Sequence, residues 1–284
     1  MMENIFREHR PDVVFHAAAY KHVPLIELNP WEAVFNNIMG SNVVMKLALQ
    51  YGIDSFVLVS SDKAVRPTNV MGASKRVTEL LVRSFQGGKT RFMAVRFGNV
   101  VGSSGSVIPL FRHQIEHGGP ITLTHIGATR YFMTIPEAAQ LILQAGALGK
   151  GGEIFVLQMG TPVRILDLAN DLIKLSGKEP GKDIQIVSTG LRPGEKLSEE
   201  YIMDDENIMK TEHNKILVLG SDGKGSPKEL EDWLNRKLNS LYEAARQMDP
   251  YLIKLKLKEI VPEYTPELES TEYIGRSIST ADGK

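Results

Sequence analysis

Short apolar runs alternate with helical patterns through the first half of this chain, and that alternation constrains the fold more than any other feature. Residues 12–19, Asp12-Val13-Val14-Phe15-His16-Ala17-Ala18-Ala19, read as a buried strand running into a small-residue loop. Residues 42–50 have helical apolar spacing and stop at Gly52. Residues 56–59 form the next strand, residues 75–85 the next helix, closed by Gly87-Gly88, and residues 92–95 a further strand. Parallel strands need crossover connections of this kind, so the expected class is α/β with a mostly parallel, Rossmann-type sheet.

After Gly98 the pattern loosens. Residues 107–115, 136–148 and 165–175 read as helices, and residues 121–124, 131–133, 153–157 and 183–187 as short strands. This second half is expected to form a smaller α+β lobe beside the sheet. From about Ser226 the chain is helical and charged, and the tail from Thr265 is expected to be mobile. The chain opens in a helix leading to a strand. No strand–glycine-rich turn–helix unit precedes it, although a dinucleotide-binding sheet normally starts with one.

Composition narrows the function. A formal net charge of -1 over 284 residues gives no electrostatic case for nucleic acid or an anionic membrane surface. The absence of cysteine excludes disulfides, thiolate nucleophiles and Cys-ligated metals, and accords with a reducing cytoplasm. No apolar run is long enough to cross a bilayer, and the charged start Met1 to Arg7 does not read as a signal peptide. The expected chain is cytoplasmic, without membrane contact of its own.

Chemistry-bearing side chains gather at Ser60-Ser61-Asp62-Lys63, just past the strand at 56–59, with Lys75 following in Met71-Gly72-Ala73-Ser74-Lys75. Ligands of open α/β sheets bind outside the carboxyl ends of strands, which is where these residues fall. A polar, solvated strand-to-helix loop is the bland alternative. Ala17, Ala18 and Ala19 would let a flat ligand lie against the backbone, though close helix packing needs the same small residues. Lys21 and His22 fall at the rim. Met71 and Lys75 share a helical face, where short-chain dehydrogenases carry Tyr-x-x-x-Lys; methionine transfers no proton, so an acid or base must come from elsewhere.

Three literal pattern matches carry nothing. Gly88-Lys89-Thr90 lies after a helix and before a strand, the reverse of a phosphate-binding loop. His113-Gln114-Ile115-Glu116-His117 fits an inverted zinc-protease pattern without an obvious third ligand, so no metal is expected. Gly98 to Gly105 lacks the dinucleotide glycine spacing and reads instead as a loop that admits a ligand closely, or simply as a turn.

Longer motifs carry a resemblance. His16-Ala17-Ala18-Ala19-Tyr20-Lys21-His22-Val23-Pro24-Leu25, the run from Ser61 to Arg76, the run from Arg96 to Val107, Thr129-Arg130-Tyr131-Phe132-Met133-Thr134 and Leu191-Arg192-Pro193-Gly194-Glu195-Lys196-Leu197 together resemble the CapD-like UDP-N-acetylglucosamine 4,6-dehydratases. These belong to the extended short-chain dehydrogenase/reductase superfamily and serve polysaccharide and glycan synthesis. The resemblance covers roughly residues 3 to 260 and includes methionine in place of tyrosine. It implies removal of water across C5 and C6 of a UDP-linked N-acetylhexosamine, with NAD rather than NADP reduced and re-oxidised within one turnover. It further implies Lys63 as the C5 base, Asp62 as the acid at C6, Ser61 bonding the C4 oxygen, and Lys75 holding the nicotinamide ribose. Met71 and Ala17 to Ala19 would line the cofactor site. Lys21, Asn99, Arg130 and Arg192 would meet the UDP-sugar, with Glu195 closing the site. Water and Asp62 both remain open as acceptors of the C4 hydroxyl proton.

The implied organisation is a remaining part of an NAD-binding domain over 1–100, a UDP-sugar lobe with interleaved sheet elements over 101–225, C-terminal helices over 226–264 and a mobile tail over 265–284. Relatives often carry an inner-membrane anchor ahead of the catalytic domain. The start at Met1-Met2 reads as a fragment, an alternative start or a truncation. Two other readings stand beside the dehydratase: an inactive UDP-sugar-binding fragment or half of a split protein, and a nucleotide-sugar epimerase. Either a homo-oligomer or a partner supplying the N-terminal portion is expected, because stripping strands from a parallel sheet exposes an apolar edge.

Overall fold

The computed structural model describes residues 1–203, 206–220 and 226–268. Its frame is a six-stranded sheet. We label the strands β1 (Val13–His16), β2 (Ser55–Val59), β3 (Arg91–Arg96), β4 (Ile154–Leu157), β5 (Ile208–Lys210) and β6 (Ile216–Leu219), arranged in the order β1-β2-β3-β4-β6-β5. The first four run parallel, with Val14 opposite Phe56, Phe56 opposite Phe92 and Ala94 opposite Ile154. β6 lies antiparallel to β4, and β5 antiparallel to β6.

β2, β3 and β4 read as continuous apolar runs because both of their faces are covered. Side chains alternate between the faces, and the two cores divide accordingly. Phe56, Leu58, Phe92, Ala94, Ile154 and Val156 pack against the helices Val70–Ser84, Pro227–Arg246 and Pro250–Ile260 and the segment Ala33–Gln50. Val57, Met93, Val95, Phe155 and Leu157 meet Ala138, Leu141 and Ala145 of the helix Ile135–Leu148. A third core, around Phe111, Ile115, Ile121, Leu123, Ile165 and Ile173, belongs to a separate lobe. There the helices Val107–Glu116 and Ile165–Leu175 cover a parallel pair, Ile121–Leu123 with Ile186–Ser188.

Several expectations need correction. Residues 12–19 do not form a buried strand: Val13 and Phe15 are 45% and 44% exposed, because β1 is the sheet's edge and lacks a second neighbour among the described residues. The strand at 154–157 joins the main sheet, where Ile154 and Phe155 continue the apolar pairing of β3, and β5 and β6, unassigned from sequence, extend the same sheet. The helix expected from Lys75 starts at Val70, where Asn69 Oδ1 accepts from Gly72 N at 2.8 Å and supplies the N-cap. Ala33–Gly40, unassigned from sequence, is a π-helical stretch, a form common at functional sites. Thr265 is tied to the body by its N–H to Pro67 O at 2.9 Å; the remainder of the expected mobile tail, 269–284, lies outside the described residues. No helix among the described residues is long and apolar enough to cross a membrane.

One buried ion cluster joins these layers. Glu79, fully buried, accepts Arg96 Nε and Nη2, both at 2.7 Å, Arg76 Nη1 at 3.1 Å and Ser60 Oγ at 2.6 Å. Arg96 reaches on to Glu206 at 2.9 Å and Arg76 to Glu263 at 2.8 Å. Burial alone would raise the Glu79 carboxyl, but Arg96, Arg76 and the Ser60 hydroxyl outweigh it and lower it from 4.5 to about 2. A depressed folded value contributes stability that is complete above pH 4.5 and falls away as pH drops toward 2. Glu79→Gln is therefore expected to cost about 3–5 kcal/mol in urea unfolding at neutral pH, since two buried guanidiniums lose the carboxylate they share and keep only Glu206 and Glu263 at the cluster's rim. The wild-type advantage should shrink as the unfolding series is repeated toward pH 2. A variant equal to wild type at pH 7 would contradict this account.

Candidate active site

At the carboxyl end of β2 the chain enters a short turn that stays paired to the β3 side: Ser60 N bonds Val95 O at 2.8 Å and Asp62 N bonds Phe97 O at 3.0 Å. Asp62–Ala64 forms one 3₁₀ turn capped by Ser61, whose Oγ accepts from Lys63 N at 3.3 Å and donates to Asp62 Oδ1 at 2.9 Å. Asp62 is 1% exposed. Its Oδ1 also takes the Lys63 ammonium at 3.0 Å, while Oδ2 is buried with no hydrogen-bond partner. That orphan oxygen lies against Gly98, where a Cβ would stand 3.1 Å away.

Gly72 lets the helix Val70–Ser84 pass directly beneath this turn. A Cβ there would come within 2.1 Å of Lys63 O, so no other residue fits. The close approach sets Met71 and Lys75 facing the turn. Lys75 Nζ donates to Val59 O at 2.7 Å, and burial, partly offset by Glu79, lowers its ammonium to about 8. His16, at the end of β1, bonds Ser41 Oγ at 2.8 Å; burial, then the charge of Lys75, lowers it to about 4. Asn37, on the π-helical stretch, holds both backbone groups of Tyr20 and Ser74 Oγ, which docks the loop after β1 onto the helix.

A cleft of about 530 Å³ opens over the strand ends. Ala17, Ala19, Lys21, Ser61, Lys63, Met71, Lys75, Asn99, Arg130, Arg192 and Glu195 line it. Two of the residues singled out from sequence do not: Ala18 is exposed away from the cleft, and Asp62 sits behind the wall. The small Ala17 and Ala19, Met71 and the buried Lys75, bonded to one backbone oxygen, fit the nicotinamide-ribose end of a dinucleotide. Among the described residues no strand–glycine turn–helix precedes β1 to take a pyrophosphate, and no three His, Asp or Glu side chains form a candidate metal cluster.

The far wall carries charges in alternation. Lys63 Nζ lies 3.0 Å from Asp62 and 3.4 Å from Glu199; Glu199 lies 3.9 Å from Arg130; Glu195 lies 3.2 Å from Arg130 and 3.3 Å from Arg192. Arg130 is a buried clasp: its Nη atoms bond Thr129 O, Leu197 O, Lys196 O and Glu195 Oε1. Arg192 is exposed and pairs with Glu195. Burial alone would lower the Lys63 ammonium, but Asp62 and then Glu199 outweigh it, and it sits above the ordinary value. Sequence reasoning missed Glu199, Asn37 and Glu79. Glu199 directly extends the motif ending at Leu197, which was the available signal; nothing in the sequence alone marks the other two.

Gly72→Ala is expected to lower stability by about 3 kcal/mol, the upper end of overpacking costs, and to displace the Lys63 backbone. Thermal unfolding should show the loss; an unchanged melting temperature would mean that the helix does not pass as closely as described.

The model of the polysaccharide biosynthesis protein family matches residues 1–221. The capsular polysaccharide biosynthesis protein CapD of Staphylococcus aureus is 56% identical over 214 residues, covering 75% of this chain and 36% of that protein. A UDP-glucose 4-epimerase of Rickettsia typhi is 38% identical over 220 residues, covering 76% of this chain and 63% of that protein. Among solved structures, Pen from Bacillus thuringiensis superposes with a TM-score of 0.69 at 37% identity, covering 80% of this chain and 75% of that one. The chain thus spans 36% of the length of its CapD relative.

Proposed function

We propose a function from one premise: the chain belongs to the polysaccharide biosynthesis protein family, within the extended short-chain dehydrogenase/reductase superfamily. The reading is a nucleotide-sugar 4,6-dehydratase that acts on a UDP-linked N-acetylhexosamine with NAD. One observation carries it. Buried Asp62 and cleft-lining Lys63 pair at the strand end beside a helix that offers Met71 where a tyrosine acid would otherwise be.

NAD, when bound, supplies the acceptor that oxidises C4 and the donor that restores C6. The chain's own residues handle the protons. Ser61 bonds the C4 oxygen, and the resulting carbonyl acidifies the proton at C5. Lys63, as the neutral amine, takes that proton from carbon. Asp62, the acid that the family resemblance assigns, sits behind the wall, so its turn must shift toward the cleft before it gives its proton to the C6 hydroxyl, which departs as water. The pair begins with one proton on Asp62 and ends with one on Lys63. The ionised contact of 3.0 Å is therefore the state after elimination; Nζ returns its proton to C5 as C6 is reduced, and the carboxylate regains one through solvent, in balance with the proton that the C4 hydroxyl gave up on oxidation. Lys75 holds the cofactor ribose, with Ala17, Ala19 and Met71 along the same wall. Lys21, Asn99 and the exposed Arg192 receive the UDP moiety, since a guanidinium fork matches phosphate oxygens. Arg130 and Glu195 shape the wall behind it.

A C4 epimerase is the second reading, favoured by the Rickettsia typhi relative. It has no use for the Asp62–Lys63 pair as acid and base at C6 and C5. Incubating the chain with UDP-N-acetylglucosamine and NAD separates the two: a 4-keto-6-deoxy product supports the dehydratase, a C4 epimer the epimerase, and binding without turnover a substrate-binding fragment. Lys63→Ala and Asp62→Asn are each expected to reduce 4-keto-6-deoxy product formation by about 10²–10⁴-fold while leaving UDP-sugar affinity nearly intact. Full turnover by either variant would remove that residue from its role.

A further inference from the structure

We propose that Glu199 is a positioning residue of this site, whose buried carboxylate fixes both the direction and the proton of the Lys63 ammonium. Its catalytic meaning rests on the dehydratase reading, but its geometry does not. The ammonium donates to Asp62 Oδ1 at 3.0 Å and to Asn99 Oδ1 at 3.4 Å, and it faces Glu199 Oε1 as an ion pair at 3.4 Å, so three separate parts of the chain converge on it. Such an arrangement leaves the amine one orientation rather than a cone of them.

Glu199 is not held in place by bonds of its own. Its side chain is 4% exposed, and Oε2 is buried without a partner, a cost that the surrounding chain must offset. The backbone ahead of it does so. Thr129 N bonds Leu197 O at 3.1 Å, Thr129 Oγ1 meets Ser198 Oγ at 2.9 Å, and Arg130 grips the carbonyls of Lys196 and Leu197 at 2.8 and 3.0 Å. Upstream, Thr68 and Asn69 donate to Gly194 O at 2.8 and 3.0 Å, and Lys196 Nζ donates to Val65 O at 2.9 Å. The segment is clamped from both sides, and Glu199 is pressed against Lys63 as a result.

The charged groups facing Lys63 are Asp62 on its own turn, Glu199 and Lys196 on the clamped segment, and Arg130 beyond them. Two carboxylates against this amine keep it charged in the empty cleft, so the single proton of the Asp62–Lys63 pair rests on Nζ there and passes to Asp62 before Lys63 acts as the base. Removing Glu199 withdraws one of the two.

The test is competitive acetylation of the full chain by acetic anhydride across a pH series, with Lys63 read by mass spectrometry against the exposed Lys89. Wild-type Lys63 should reach half-maximal labelling at a higher pH than Lys89. In Glu199→Gln, labelling of Lys63 at a fixed pH below both midpoints should rise about tenfold, as expected when an opposite charge within about 4 Å is lost. Glu199→Asp should restore part of the difference. A correctly folded Glu199→Gln chain with the wild-type midpoint overturns the proposal. If that variant does not fold, the wild-type series decides, because a Lys63 midpoint at or below that of Lys89 also overturns it. Turnover of UDP-N-acetylglucosamine is followed in parallel. Shifted labelling with no turnover in any chain would sink the dehydratase reading and leave the role of Glu199 standing.

Discussion

The carboxylate of Glu79 is the point on which the rest of this structure hangs. It is buried on the helix Val70–Ser84 and pairs with Arg76 of that helix, yet its other partners belong to the end of β3 and to the residue following β2; Arg96 carries the network on to Glu206 and Arg76 to Glu263. A buried ion pair of this kind is weak evidence for net stability, because desolvation offsets much of the attraction. Its effect here is geometric. Ser60 is tied to Glu79 from below while its N–H is tied to Val95 from the side, so the turn that follows starts from a fixed point. Asp62 and Lys63 inherit that precision, and Gly72 allows the same helix to support them from beneath.

The sequence carried the layered fold well where physics is local. Apolar runs covered on both faces revealed β2, β3 and β4, and helical spacing revealed most of the helices. It failed where the answer depends on neighbours. Val13 and Phe15 look like core residues in any reading of the chain, and only the absence of an adjacent strand among the described residues exposes them. The strand at 154–157 carries no local sign of which sheet it joins. Asn69 as a cap was legible in principle, but the run Val70 to Ser74 contains a glycine and a serine that obscured the helix start.

For the site, residue types and motif resemblance brought together eleven cleft-lining positions, including Lys63, Lys75 and Arg192. What they did not reveal is how the positions divide the work. Arg130 and Arg192 look alike as letters. In the fold, four contacts to neighbouring oxygens make the first a buried clasp, and exposure leaves the second open to a ligand. Glu199 escaped notice because its importance comes from being pressed against a residue 136 positions away, a distance that no pattern in the chain records.

The alternating row from Asp62 to Arg192 contains three acids and three bases, so its formal charges cancel. Beyond about a Debye length such a wall adds no net field of its own, and it draws no anion in from bulk solvent. Under the proposed reading, a diphosphate would gain from it only on arrival, by taking over contacts that Glu195 holds. Discrimination at this wall is thus a matter of exchange at short range rather than of steering, and added salt should slow encounter with it far less than it would for an uncompensated pair of arginines.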